Sequence, residues 1–93
     1  MKNKKIILIR KRLDKLDDKL LKLIKQRTSL VNELLKTKKF KKEIIDQKRI
    51  IEILRKIKFK SKKLKIDPKI TKKIWYNMIR AYIDYEFRNF KKK

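Results

Sequence analysis

The chain contains no glycine, no cysteine and no histidine, and it has a single proline among its 93 residues. Without cysteine there is no disulfide framework, and without cysteine or histidine the usual zinc sites and the Cys-His and Ser-His nucleophile systems are excluded. Any chemistry must therefore use arginine, lysine, carboxylate, tyrosine or hydroxyl groups. The composition favours helices, and the length allows at most one small domain, which we assign to residues 1–93.

Long hydrophobic runs are also missing. The apolar run that follows the first basic residues, Ile6–Ile9, has only four members. A signal-peptide core needs more apolar residues than this, and a segment that crosses a bilayer needs many more. We therefore expect a cytoplasmic protein with no membrane partner.

Acidic residues are scarce, so that 33 basic and 10 acidic residues give a formal net charge of +23. One interpretation is a basic helical dimer that binds nucleic acid. The lysines, however, occur along the whole chain and concentrate only mildly, at residues 36–42, 58–65 and 91–93. No zinc knuckle, glycine-containing turn or recognition-helix arrangement accompanies them. Nucleic-acid binding therefore stays an alternative, and we expect no specific nucleic-acid partner.

The apolar periodicity predicts three helices. The first covers about Ile6–Lys38 and would be roughly 50 Å long at 1.5 Å per residue. The second covers about Ile44–Ile57, is short and should be mostly buried, and Lys58–Ile66 is expected to be a loop. Asp67-Pro68 is typical of an N-cap followed by proline at the first helical position, which starts the third helix. Its apolar residues are Ile70, Ile74, Trp75, Met78, Ile79, Tyr82, Ile83 and Phe87.

A helix as long as the first cannot be buried by the two shorter helices of the same chain. It would expose an apolar seam along its length, and association with a second copy is the simplest way to cover that seam. Closed two-fold symmetry is the usual outcome. The sequence therefore predicts an all-α protein that forms an intertwined homodimer of three-helix protomers.

Arg27 interrupts this seam at a position where a leucine would continue the pattern. A cation on an apolar seam costs free energy unless a negative partner meets it, either a carboxylate or a bound anion. The acidic residues of the first helix lie off the Arg27 stripe, which favours an anion. The apolar spacing around it alternates between three and four through Leu13, Leu16, Leu20, Leu23, Leu30 and Leu34.

Two further cations are placed by helical geometry. Lys38 lies eleven residues after Arg27, close to three whole turns, so both side chains should leave the helix on nearly the same face. Arg10 lies seventeen residues before Arg27, about 25 Å along the axis, which is beyond the reach of one small ligand. If Arg10 belongs to the same site, the other protomer must contribute it, as an antiparallel pairing of the long helices would allow.

The second and third helices add polar groups that could reach the same anion site. Asp46 and Arg49 lie one turn apart in the second helix, and Tyr82 and Glu86 lie at i and i+4 in the third. Each has a structural explanation as well, since Asp46 and Arg49 could be a helix-start pair. Tyr82 and Glu86 could equally be ordinary packing and surface residues.

The arrangement resembles the all-helical chorismate mutase family, the type II fold, across nearly the whole chain. The segment RKRLDKLDDKLLKLIKQRTSL, residues 10–30, is similar to the family's first helix with its R-x-x-[IL]-D-x-[IL]-D opening and buried arginine. Lys38 and the run Asp46-Gln47-Lys48-Arg49 continue the match. The resemblance implies conversion of chorismate to prephenate in aromatic amino acid biosynthesis, in the shikimate pathway, by an intertwined dimer that needs no cofactor or metal.

The resemblance also implies roles for individual residues. Arg27, Lys38 and Arg49 would bind the carboxylates and ether oxygen of the dianionic substrate, and Arg10 would come from the partner protomer. Lys38 and Glu86 would donate hydrogen bonds to the ether oxygen as its bond breaks. Because a glutamate donates only when it is protonated, we expect activity to fall as the pH rises.

Two positions depart from the mutase pattern. After Arg49 the mutases usually carry a glutamate that accepts a hydrogen bond from the substrate's ring hydroxyl, whereas this chain has Ile50. Tyr82 stands where mutases often have a small polar residue. Both features, and the segment MIRAYIDYEF at residues 78–87, resemble the isochorismate-pyruvate lyases of the same fold, which form salicylate. Asp46 fits the mutase pattern and could accept the hydrogen bond from the ring hydroxyl in place of the missing glutamate. The mutase is therefore favoured, and the lyase is the alternative.

Overall fold

The computed structural model describes residues 2–91, and within this range the chain is helical and contains no strand. The elements are α1 (Lys2–Thr37), a 3-10 turn (Lys41–Glu43), α2 (Gln47–Lys63) and α3 (Pro68–Asn89). The chain separates into a first unit that ends at Glu33 and a second unit that begins at Leu34. No helix within the described residues combines the length and apolarity that a membrane crossing requires. The prediction of an all-α protein with one long first helix and two shorter helices is confirmed.

α1 is a 36-residue helix, slightly longer at its start and shorter at its end than the periodicity predicted. Every side chain from residue 3 to residue 26 is exposed in the single chain. The seam leucines share this exposure, at 52–61% each: Leu13, Leu16, Leu20, Leu23 and Leu30. A contiguous apolar row of this kind marks an interaction surface in a folded protein.

The connection from α1 to α2 is held by one carboxylate. Glu43 accepts hydrogen bonds from the backbone N–H groups of Lys39, at 2.6 Å, and Phe40, at 2.8 Å. The bond from Phe40 and then that from Lys39 lower the pKa of Glu43, and nearby lysine charges add to the effect. Ile44, which is only 4% exposed, follows directly and anchors the connection in the core.

The predicted bounds of α2 were wrong at both ends. The helix begins at Gln47 because the Asp46 carboxylate accepts a 3.0 Å hydrogen bond from the backbone N–H of Arg49 as an N-cap. It continues to Lys63, through residues that we expected to form a loop, because lysine is a good helix former and nothing before residue 64 interrupts it. Nor is α2 mostly buried, since Ser61 is its one buried side chain.

A Schellman turn ends α2 without the usual glycine. The backbone N–H of Ile66 donates to the carbonyl of Ser61 at 2.8 Å, and that of Lys65 donates to the carbonyl of Lys62 at 3.1 Å. This pattern places one residue in the left-handed region, and Lys65 occupies it with φ 59°. A side chain with a Cβ atom is strained in that conformation. The chain has no glycine to relieve the strain.

α3 begins as predicted, with Asp67 as N-cap and Pro68 in the first turn, and the Asp67 carboxylate accepts from the backbone N–H of Lys69 at 2.9 Å. α2 and α3 pack against each other. Near the turn between them the buried hydroxyl groups of Ser61 and Thr71 share a hydrogen bond at 2.7 Å, and the Ser61 hydroxyl also donates to the carbonyl of Ile57 at 2.6 Å. The buried apolar side chains are few: Leu35, Ile44 and Ile79.

Candidate functional site

Among the described residues, the least exposed ion pair joins Lys38 to Glu86. The Lys38 Nζ donates to Glu86 Oε1 at 2.8 Å, across 48 residues of sequence. The two side chains are 20% and 9% exposed, respectively. Lys38 follows the end of α1 and Glu86 lies in the last turns of α3, so the pair joins two elements that meet only in the folded chain. Two residues that the sequence assigned to one site are therefore in direct contact.

In the structure Glu86 accepts a hydrogen bond from Lys38. The predicted hydrogen bond from Glu86 to a substrate oxygen involves a different partner and stays a prediction. An ammonium group has three N–H donors, and one of them is directed at Glu86. The remaining donors are suited to an oxygen that gains negative charge. Because both groups are partly withdrawn from water, such a hydrogen bond is stronger there than at the surface.

Tyr82 lies one turn before Glu86 on α3 and is half-buried. Its ring meets that of Tyr85 edge to face, with centroids 6.4 Å apart and an interplanar angle of 83°. Edge-to-face contacts of this kind restrict the ring orientation. Tyr82 is thus a bulky, oriented neighbour of the Lys38–Glu86 pair.

The Asp46 and Arg49 side chains have separate partners. Asp46 caps α2 through the backbone N–H of Arg49, which agrees with the helix-start explanation. The Arg49 guanidinium instead forms an ion pair with Glu52, one turn further along α2, and Glu52 also lies 3.5 Å from the Nζ of Lys56. The Arg49 hydrogen bond and the Lys56 charge lower the pKa of Glu52. We did not identify Glu52 from the sequence, although its i,i+3 spacing from Arg49 was the available signal.

Ile50 is half-buried and lines a groove of about 330 Å³ between α2 and α3. The guanidinium of Arg80, on the same groove, donates to the hydroxyl of Tyr76 at 3.3 Å. This hydrogen bond is the main cause of the raised pKa of Arg80. Ile50 is the one predicted site residue among the lining residues, which are Ile45, Gln47, Ile50, Tyr76, Ile79, Arg80, Ile83 and Asp84.

Arg10 and Arg27 both lie on α1, within the first unit. Arg10 is exposed, whereas Arg27 is half-buried on a stretch of helix where most side chains are exposed. Their assignment to the same site as Lys38 stays a prediction. Within residues 2–91, no group of three acidic side chains is placed to hold a metal ion.

A family model described as chorismate mutase type II matches residues 9–87 of the chain. All eight predicted site residues fall within this match. No curated protein and no solved structure matches the chain.

Proposed function

The chain belongs to the chorismate mutase type II family, and from this premise we propose that it is a chorismate mutase that converts chorismate to prephenate in a cationic cavity. The observation that carries the proposal is the Lys38–Glu86 pair, at 2.8 Å and largely withdrawn from solvent. A pericyclic rearrangement requires no nucleophile. Catalysis then consists of holding the substrate in a compact conformation and stabilising charge on the breaking ether bond.

Lys38 is the donor that we assign to the ether oxygen. As the bond to that oxygen breaks, negative charge develops there, and an ammonium group already fixed by a carboxylate needs little reorganisation to stabilise it. Glu86 would face the same oxygen. The carboxylate form of Glu86 accepts from Lys38 and so holds the ammonium in place, and a hydrogen bond from Glu86 to the same oxygen would require the protonated form.

Arg27, Arg49 and the partner's copy of Arg10 are the groups that we assign to the substrate carboxylates. Arg49 would exchange Glu52 for a carboxylate of the substrate. Both members of the Arg49–Glu52 pair are more than half exposed. Exposed ion pairs contribute little net free energy, so this exchange should cost little. Guanidinium groups suit the task because their planar donors match both oxygens of a carboxylate.

The site requires a homodimer, which we propose on the strength of the exposed seam of α1. Leu20 and Leu30 are 55% and 61% exposed in the single chain. Covering such side chains with the same surface of a second copy removes apolar area from water on both protomers. An antiparallel arrangement would bring each Arg10 to its partner's site, giving two equivalent sites. The proposal includes a cytoplasmic location and turnover without a cofactor.

An isochorismate-pyruvate lyase is the second candidate, and Ile50 is the observation that favours it. Ile50 lines a groove with Ile79 and Ile83, where a mutase would place a carboxylate to accept the ring hydroxyl. The nearby carboxylate of Asp46 already accepts a hydrogen bond as the N-cap of α2. Tyr82 adds bulk where a mutase often has a small residue.

Incubation of the purified protein with chorismate and, separately, with isochorismate tests both candidates. Prephenate from chorismate supports the mutase, and salicylate with pyruvate from isochorismate supports the lyase. Lys38→Met should abolish the product, whereas Lys36→Met, which removes an exposed cation from the last turn of α1, should retain it. Arg27→Leu should also be inactive while the protein still folds and dimerises. A protein inactive on both substrates contradicts the proposal.

A further inference from the structure

An open groove is formed by the segment that follows Lys38 and by the residue that ends α3, and none of the predicted site residues lines it. It has a volume of about 470 Å³ and is lined by Lys39, Phe40, Lys41 and Phe90. Phe40 is 60% exposed, and the Nζ of Lys42 lies 5.6 Å from the centroid of its ring. The groove thus combines aromatic rings with ammonium groups, which suits an anion that carries a ring.

The rim of this groove is held in place by the backbone. The carboxylate of Glu43 accepts from the N–H groups of Lys39 and Phe40, and that of Asp46 accepts from the N–H of Arg49, so both acidic side chains of the connection are committed to the main chain. Among the described residues, neither Lys39 nor Lys41 forms an ion pair. The lysine charges at the groove are therefore not neutralised by a neighbouring carboxylate.

The position of the groove relates it to the site. Lys39 directly follows Lys38 in the chain, and Phe90 lies one helical turn after Glu86. The groove is therefore lined by residues that adjoin both members of the Lys38–Glu86 pair along the chain.

We propose that the groove of Lys39, Phe40, Lys41 and Phe90 is a docking site for the cyclic dianion that the enzyme converts, an inference that rests on the proposed function. Lys39 and Lys41 attract the carboxylates, and the two phenyl rings contact the carbocycle. Once the substrate has reached Lys38, the charges of Lys39 and Lys41 still act on it from a distance, and they stabilise the bound substrate and the transition state to the same extent because neither lysine touches the reacting bond. Uniform binding of this kind changes KM and leaves kcat unchanged.

The test compares two double variants that remove the same total charge. Lys39→Gln with Lys41→Gln alters the groove. Lys72→Gln with Lys73→Gln removes two exposed cations from α3, about 25 Å along the helix axis from Phe90. Screened attraction between two cations and a dianion at a distance of roughly 8 Å predicts that the groove variant raises KM about three- to fivefold. The α3 variant should change KM less than about 1.5-fold, because charges beyond the Debye length are screened.

The remaining readouts separate the possible outcomes. In the groove variant kcat should equal that of the wild type, and the difference in KM between the two variants should shrink in 0.5–1 M salt, where the Debye length is only about 3–4 Å. Equal KM values for the two variants, or a loss confined to kcat, would overturn the docking site while wild-type turnover leaves the proposed function intact. A wild-type protein without turnover on either substrate overturns the proposed function, and the docking inference with it.

Discussion

Replacing Lys38 by methionine tests whether the ion pair with Glu86 organises the second unit. The substitution keeps most of the side-chain length but leaves a carboxylate that is 9% exposed without its 2.8 Å partner. Removing one member of a fully buried pair costs about 3–5 kcal/mol. Because Lys38 is 20% exposed, water can partly replace it. We therefore expect a loss of about 2–3 kcal/mol in the free energy of unfolding.

A double-mutant cycle assigns this loss to the pair. Glu86→Leu alone leaves the ammonium without its carboxylate, whereas the double variant Lys38→Met/Glu86→Leu removes both charges and should recover most of the stability. The coupling free energy should then be about 2 kcal/mol. A single exposed cation removed by Lys36→Met should change the stability by less than about 0.5 kcal/mol.

Urea unfolding followed by far-UV circular dichroism provides the measurement. All variants must be compared at one protein concentration, because the stability of a dimer depends on concentration. If Lys38→Met and Lys36→Met unfold at the same urea concentration, or the coupling is near zero, then the contact does not contribute as argued. Glu86 would then not hold the Lys38 ammonium in place for the substrate.

Three further outcomes follow from named contacts. Glu86→Gln, whose amide can accept from Lys38 and donate to the ether oxygen, should retain turnover, whereas Glu86→Leu, which can do neither, should lose it; equal turnover of the two variants contradicts the role of Glu86. Lys65→Gly should stabilise the protein by about 0.5–1 kcal/mol in urea unfolding, because glycine relieves the strain at φ 59°. The matched change Lys63→Gly, inside the last helical turn, should destabilise it by a similar amount, and equal effects of the two would refute the strain. An inactive Arg10 variant mixed with an inactive Arg27 variant should recover about a quarter of the wild-type activity after subunit exchange, since half of the dimers are mixed and one of their two sites is intact. No recovery would contradict a site shared between protomers.

The features that the sequence determined are those encoded by neighbouring residues. Asp67 and Pro68 specify the start of α3 because a cap and a preset φ angle act within one turn. The length of α1 follows from the absence of proline and glycine over its whole extent. The bounds of α2 were mistaken because apolar periodicity ends at Ile57, whereas helical propensity carries the backbone on to Lys63.

The partner of Lys38 was decided only by the tertiary structure. For Arg49, spacing along the chain allowed both Asp46 and Glu52, and within α2 the guanidinium pairs with Glu52. With 33 basic residues for 10 acidic ones, many pairings satisfy the spacing rules equally well. The contact between Lys38 and Glu86 spans 48 residues, and no local rule reaches that far. Helices are specified by interactions within a few residues, but a site is formed where separate helices meet, so its geometry depends on how the whole chain packs.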